Sequence, residues 1–411
     1  MKIGFYGLTH LGITYLSATV YKGFDVIGFD DNEVIKKIKS NKYIKEPHIF
    51  SVLKNNKEKI LLTSNLSNLN KCDLIFFSYD TPISNNGKSI DTFIKIKINR
   101  LLKILNKDKK LIILSQVNPG FTENIRWNKD LLFYMVETLI FGQAFQRAIN
   151  PERIILGTAT KGSNLKILQN FLKSFCKKFI ITDYNSAEFT KICINIFLIS
   201  SIFTTNNLAS ISKKIKVNWN DIVKSLKLDK RIGKYAYLTP SIGLSGTNLI
   251  RDLNVVHDLS KKNNLSSELS GYWVKESANR KWIKDQFKKI KSKNKNLNCL
   301  ILGLSYKENT DSILNSVSIY FIEQFNILKK CKFTCYDPVV KKINYKSIKL
   351  IENKYFYKFK KKSKNVLLIL TPWKEFKDLK KEFIMKFDYV IDPYGLIIKN
   401  KKIIKNYISL V

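Results

Sequence analysis

The opening MKIGFYGLTHLG constrains the fold more than any other stretch of the chain. Residues 2–6 form an apolar run of strand length, and Gly7 and Gly12 bracket a tight turn that leads into a helix. GFDVIGFDD then supplies a second strand that ends in acid at Asp30, 18 residues after Gly12. Strands joined by one crossover helix run parallel, and a parallel sheet is covered by helices on both faces. The following segments agree with this. KCDLIFFSYDTP, KKLIILSQV, RIILGT and KKFIITDY are short apolar runs separated by helix-length stretches, so an α/β domain is predicted over residues 1–184.

The pattern changes at residue 185. SAEFTKICINIFLISSIFTTNNLASIS is apolar at three- and four-residue spacing and predicts one long helix. Helical segments continue to about residue 285, interrupted by a loop over residues 238–252 and followed by the lysine-rich connector KKIKSKNKN. Strands resume in LNCLILGLSY, KFTCYDP, NVLLILTPW and FDYVIDPYG. The expected fold class is therefore α/β, with two Rossmann-like parallel-sheet domains joined by a central all-helical domain with a long connecting helix. The expected boundaries are 1–184, 185–293 and 294–411.

Charge and cysteine usage narrow the function classes. The net charge of +39 suggests a nucleic-acid binder, yet only seven of the 72 basic residues are arginine, the usual reader of bases and phosphates. The lysines are spread through every segment, as on a solvated surface. The six cysteines form no CxxC pair, and His10, His48 and His257 lie far apart, so neither a disulfide framework nor a metal site is expected. MKIGFYG leads straight into a strand, and no apolar run is read as reaching the ~18 residues that a membrane span needs. The expectation is a cytoplasmic protein that binds neither nucleic acid nor membrane.

A dinucleotide site needs a tight turn, a backbone that lets a pyrophosphate approach, and a helix N-terminus aimed at it. GLTHLG places Gly7 and Gly12 at the first and last positions of GxGxxG, with Thr9 where the middle glycine belongs. The Thr9 side chain must either push a pyrophosphate away or bond it through its hydroxyl. Asp30 stands where an acid accepts the ribose hydroxyls of NAD and repels the extra phosphate of NADP. NAD is the expected cofactor, held by Gly7, Thr9, His10, Leu11, Gly12, Asp30, Thr81 and Gln116.

Seven motifs in order make the likeness specific: DTP (80–82), NPERIILG (150–157), AEFTKICINIFL (187–198), DKRIG (229–233), YLTPSIGLSGTNLIRD (237–252), GLSYKENTDS (303–312) and YDP (336–338). Over essentially its whole length the chain resembles the nucleotide-sugar dehydrogenases, the UDP-glucose and GDP-mannose dehydrogenase family. The resemblance implies a homodimer built on the central domain, NAD as oxidant, and oxidation of a sugar C6 hydroxyl to a carboxylate in two hydride transfers. It also implies roles for particular residues. Lys191 matches the lysine that stabilises charge on the reacting oxygen, Asn195 its hydrogen-bonding partner, and Asp252 the acid that works with this lysine and a water as general base. Glu188, Lys191 and Asn195 share one side of a helix by spacing. Glu137, Tyr237, Gly243, Gly246 and Lys307 match substrate-binding positions, and Arg231 and Asn279 fall on motif positions.

The departures matter as much. The family loop reads roughly GFGGSCxPKD, whereas this chain has GLSGTNLIRD, so Asn248 stands at the place of the nucleophilic cysteine. A thiolate there captures the aldehyde and leaves a hydrolysable thioester, which an amide cannot do. Cys193 points to another side of its helix. Gln116 replaces a threonine, Phe141 a glutamate, and Leu314 and Tyr394 fall where arginines are common. With Lys191, Asn195 and Asp252 kept, the expected activity is NAD-dependent oxidation of a nucleotide sugar at C6. It proceeds either to the uronic acid, through the aldehyde's hydrate, or only to the aldehyde. A non-catalytic protein that binds NAD and a nucleotide sugar is the competing expectation.

Overall fold

The structure is a computed structural model that describes residues 1–41, 43, 46–84, 88–326, 333–345 and 348–410, without the side chains of 276–279 and 281. The chain divides into two compact units, Met1–Ile194 and Asn195–Val411.

The first unit is built on an eight-stranded sheet. Its strands are β1 (Lys2–Tyr6), β2 (Asp25–Phe29), β3 (Ile60–Thr63), β4 (Leu74–Phe77), β5 (Lys110–Ile113), β6 (Leu132–Met135), β7 (Ile154–Gly157) and β8 (Phe179–Thr182). Their order is β3-β2-β1-β4-β5-β6-β7-β8. The first six follow the doubly wound dinucleotide-binding order, with the crevice where β1 and β4 diverge. Every pairing is parallel except β6 with β7, which departs from the all-parallel expectation. The β6–β7 connection carries only the short helix Ala144–Ile149, which packs on the first helix, His10–Tyr21, and brings β7 back reversed. Phe5, Phe76 and Ile112 are buried on one face of this sheet, and Tyr6, Ile75, Phe77 and Ile113 on the other. That double burial is why the strands read as unbroken apolar runs rather than alternating ones.

Gly12 shows how tightly the turn is made. A Cβ on it would lie 1.8 Å from the Gly7 carbonyl oxygen, a backbone atom that cannot step aside. Gly12→Ala is therefore expected to cost about 1–3 kcal/mol through forced displacement of the first helix. A urea titration should show a lowered midpoint; an unchanged midpoint would contradict the close packing.

The second unit repeats the design with six strands, β9 (Leu297–Leu302), β10 (Phe333–Tyr336), β11 (Ile348–Leu350), β12 (Lys364–Ile369), β13 (Tyr389–Ile391) and β14 (Tyr407–Ile408). Their order is β11-β10-β9-β12-β13-β14, all parallel, and rank for rank it matches the first six strands of the other sheet. Ahead of this sheet the unit is helical, with Trp219–Leu228, Asn248–Lys262, Glu268–Asn279 and Lys281–Lys293.

A 31-residue helix, Tyr184–Lys214, runs from one unit into the other. Among the described residues it is the one helix long and apolar enough to cross a membrane by length and composition, with 28% of its most apolar window buried. Uninterrupted runs miss this, because Glu188, Lys191 and Asn195 punctuate the stretch. A core helix of a soluble protein passes the same test, and those three polar side chains are all buried.

Candidate functional site

In the first unit the site begins where β1 ends. Gly7 sits at φ +101°, and its N–H donates to the Phe29 carbonyl, tying the turn to the end of β2. Asp30, 3% exposed, accepts the Leu8 N–H at 2.7 Å and the Asp31 N–H at 2.8 Å. Burial pushes its carboxyl above the usual range, against the pull of these two backbone bonds. Asp30 thus holds the turn in shape, and its place at the end of β2 is the one a ribose-binding acid occupies.

Thr9 is engaged within the protein. Its hydroxyl turns inward, donating to the Ser78 carbonyl at 3.2 Å and accepting the Asp80 N–H at 2.8 Å. The Asp80 carboxylate in turn accepts the Leu11 N–H at 3.3 Å. Thr81 and Gln116 are brought together, the Thr81 hydroxyl donating to the Gln116 carbonyl at 2.5 Å. His10 stacks on Phe141 with ring centroids 3.9 Å apart, and its Nε2 lies 3.1 Å from Glu46. Glu46 also accepts the N–H groups of Gly142 and Ala144, at 2.9 and 2.8 Å. Burial would push its carboxyl up, but His10 and those two N–H groups outweigh it and hold it below the usual range.

On the long helix, Glu188 is fully buried and accepts the Gly120 and Thr122 N–H groups at 2.7 and 2.8 Å, so it anchors the turn after β5. Burial pushes its carboxyl up, with these bonds opposing. One turn along, the Lys191 ammonium pairs with Glu137 at 3.0 Å, the side chains 10% and 14% exposed. The lysine does not snorkel to water.

In the second unit Asn195 donates to Asp252 at 2.5 Å, and the Arg251 Nε donates to the other carboxylate oxygen at 2.9 Å. All three are buried. Asn248 is the first residue of the helix Asn248–Lys262, exposed, and one turn ahead of Asp252 on the same helical side. Gly243 and Gly246 both take positive φ, +114° and +78°. A Cβ on Gly246 would meet the Tyr306 ring at 2.9 Å. Tyr237 is 41% exposed, and its carbonyl accepts the Thr205 hydroxyl at 2.7 Å. The Lys307 ammonium lies over the Tyr306 ring. Arg231 pairs with Asp229 at 2.7 Å with its own side chain 89% exposed. The Asn279 side chain lies outside the described residues. Of the two residues that depart from common arginine positions, Leu314 is exposed and the Tyr394 hydroxyl donates to the Leu370 carbonyl.

Four residues matter here that sequence reasoning gave no role. Glu46 is the lone acid between residues 34 and 57, a faint signal at best. Asp80 was legible only as part of DTP. Arg280, buried, donates to the carbonyls of Leu244, Asn315 and Ser316, and Asn315 donates to the Gly246 carbonyl at 2.5 Å. Together they fasten the loop around Gly243–Gly246. Burial pulls the Arg280 guanidinium down to about 10.

Three domain models of one family match the chain in order. The NAD binding domain of the UDP-glucose/GDP-mannose dehydrogenase family covers residues 1–176, its central domain 185–276 and its UDP binding domain 300–399. The chain belongs to the UDP-glucose/GDP-mannose dehydrogenase family. It is a member of a family of NAD-dependent nucleotide-sugar dehydrogenases, and NAD is its cofactor. A UDP-glucose 6-dehydrogenase of Rickettsia conorii is 27% identical, with 99% of this chain and 96% of the relative covered. A UDP-N-acetyl-D-mannosamine dehydrogenase of Pyrococcus horikoshii is 25% identical over 97% of this chain and 96% of the relative. The solved UDP-glucose dehydrogenase of Pyrobaculum islandicum superposes with a TM-score of 0.86 at 18% identity, covering 100% of this chain and 97% of that one. The fold of the family is thus fully present, including both Rossmann-like sheets.

Proposed function

We propose that this chain oxidises the C6 hydroxyl of a UDP-glucose-like nucleotide sugar to the aldehyde and releases it there, the thioester route being closed. The observation that supports hydride transfer is the retention of buried, oriented polar groups at the positions this chemistry uses. On one helix, Lys191 is held by Glu137, and one turn later Asn195 is held by Asp252. In this reading Asp252 takes the proton of the C6 hydroxyl as the hydride leaves carbon, while Lys191 and Asn195 stabilise the charge that gathers on oxygen. NAD supplies the two-electron acceptor. Glu137, Tyr237, Gly243, Gly246 and Lys307 are proposed to hold the substrate, and Gly7, Thr9, His10, Leu11, Gly12, Asp30, Thr81 and Gln116 the cofactor side.

Two observations support the stop at the aldehyde. Asn248 offers no nucleophile, and the described cysteines give no replacement: Cys72, Cys299 and Cys335 are buried, Cys176 lies outside the loop, and burial pushes the Cys193 thiol up. The exposed apolar side chains Phe197, Leu228 and Tyr235, each about four-fifths exposed, support a homodimer through the central helices.

The test uses UDP-glucose, UDP-N-acetylglucosamine, UDP-N-acetylmannosamine and GDP-mannose with NAD and hydroxylamine. An aldehyde product is trapped as an oxime. Asn248→Cys is expected to return the covalent route, so that a thioester is captured as a hydroxamate and, without the trap, the acid appears. Acid from the unaltered chain would overturn the stop at the aldehyde. Bound NAD with no turnover of any sugar would leave a binding protein instead.

A further inference from the structure

The cofactor turn carries an acid that neither the family match nor the proposed chemistry uses. A dinucleotide's pyrophosphate rests on the N–H groups at the start of the first helix. One of these, the Leu11 N–H, is already taken by the Asp80 carboxylate, at 3.3 Å. The bond is long, and burial pushes the Asp80 carboxyl above the usual range, against the pull of His10, Thr9 and this N–H, so the contact can be released. The peptide that carries it is held more firmly. The Thr9 hydroxyl accepts the Asp80 N–H at 2.8 Å and donates to the Ser78 carbonyl, and the Ser78 hydroxyl donates to the Gly7 carbonyl at 2.8 Å. The side chain that replaces the middle glycine is thus bonded to the residue whose carboxylate sits on the helix.

We propose that Asp80 is an internal plug on the anion-binding end of the dinucleotide site, positioned through Thr9, which has to leave before a pyrophosphate can take the Leu11 N–H. The proposal rests on the chain being an NAD binder. A carboxylate at a helix N-terminus is stabilising when nothing else is there. Against an incoming pyrophosphate it acts twice, competing for the same N–H and repelling like charge. Asp30, on the Leu8 N–H, is a second carboxylate in the same turn, so the negative charge Asp80 adds is not offset from that side. The plug keeps the ligand-free turn closed and sets a threshold for the cofactor. The plug discriminates by charge: adenosine, which lacks the pyrophosphate, does not meet it.

Calorimetric titration of the full chain with NAD, ADP-ribose and adenosine tests this without turnover. Asp80→Asn is expected to tighten NAD and ADP-ribose about tenfold and to leave adenosine unmoved. Thr9→Ala, which frees the Asp80 peptide, should tighten the same two ligands by about threefold and serves if the first variant folds poorly. NAD binding unchanged or weakened in a folded Asp80→Asn chain overturns the plug, and so does an equal gain for adenosine, which marks a change of shape rather than of charge. If neither the unaltered chain nor a variant binds NAD or adenosine, the dinucleotide site itself fails and the plug with it.

Discussion

Lys191→Ala is expected to lower kcat for sugar oxidation by about 10²–10³-fold with little change in KM, the scale on which one donor to a developing oxyanion acts. Lys191 sits on a largely apolar helix, is 8% exposed, and has its ammonium 3.0 Å from Glu137. A lysine serving only as a structural counter-ion would show a different pattern. Its removal would leave a carboxylate, itself 14% exposed, without its cation, and the loss would appear in stability rather than in turnover. Glu137→Gln separates the two roles. It keeps the ammonium and removes its partner, so KM is expected to rise with a much smaller fall in kcat. Equal losses of kcat in both variants, or full turnover by Lys191→Ala, would contradict the role given to the lysine.

Asp252→Ala carries the second large effect, on both stability and activity. Asp252 and Arg251 have side chains 1% and 6% exposed, and the Arg251 Nε meets the carboxylate at 2.9 Å. Removing the carboxylate leaves a buried guanidinium without this countercharge, which costs about 3–5 kcal/mol. Asn195 loses its 2.5 Å acceptor at the same time. Urea unfolding should show a lower midpoint with an unchanged slope. Asp252→Asn also removes the countercharge of Arg251 but keeps the shape and one acceptor oxygen, so it is expected to lose less stability than Asp252→Ala while turnover falls by about 10²–10⁴-fold, as for loss of a general base. A folded Asp252→Asn chain with full turnover would remove Asp252 from the chemistry.

The strands that the sequence makes legible are the buried ones. β1, β4, β5, β9 and β12 are apolar on both faces and stand out as runs. Three strands that escape notice lie at or next to sheet edges, β3, half-exposed at residues 60–63, and β11 and β14 with three and two residues, whereas β6 escapes although it is buried and no shorter than β4 and β5. There the ladder is set by neighbouring strands rather than by local pattern. The reversed β7 had no local signal either, because direction depends on the connection and not on the strand.

Site residues divide in the same way. Those tied to motif spacing, such as Gly7, Gly12, Lys191 and Asn195, are readable because a turn or a helix fixes their geometry locally. Glu46, which reaches Gly142 and Ala144 about a hundred positions away, and Arg280, which reaches Leu244 and Ser316, act through tertiary contacts that leave no periodicity in the chain. The Thr9 hydroxyl accepts the Asp80 N–H from 71 positions away, a contact that motif spacing does not show.

The most direct test of the account is the number of NADH molecules formed per nucleotide sugar consumed, measured with excess NAD on the unaltered chain. One NADH per sugar, with the aldehyde recovered, is the predicted result. Two NADH per sugar would mean that the acid is made without a covalent cysteine intermediate, and would contradict the claim that replacing the thiol by Asn248 ends the reaction at the first hydride.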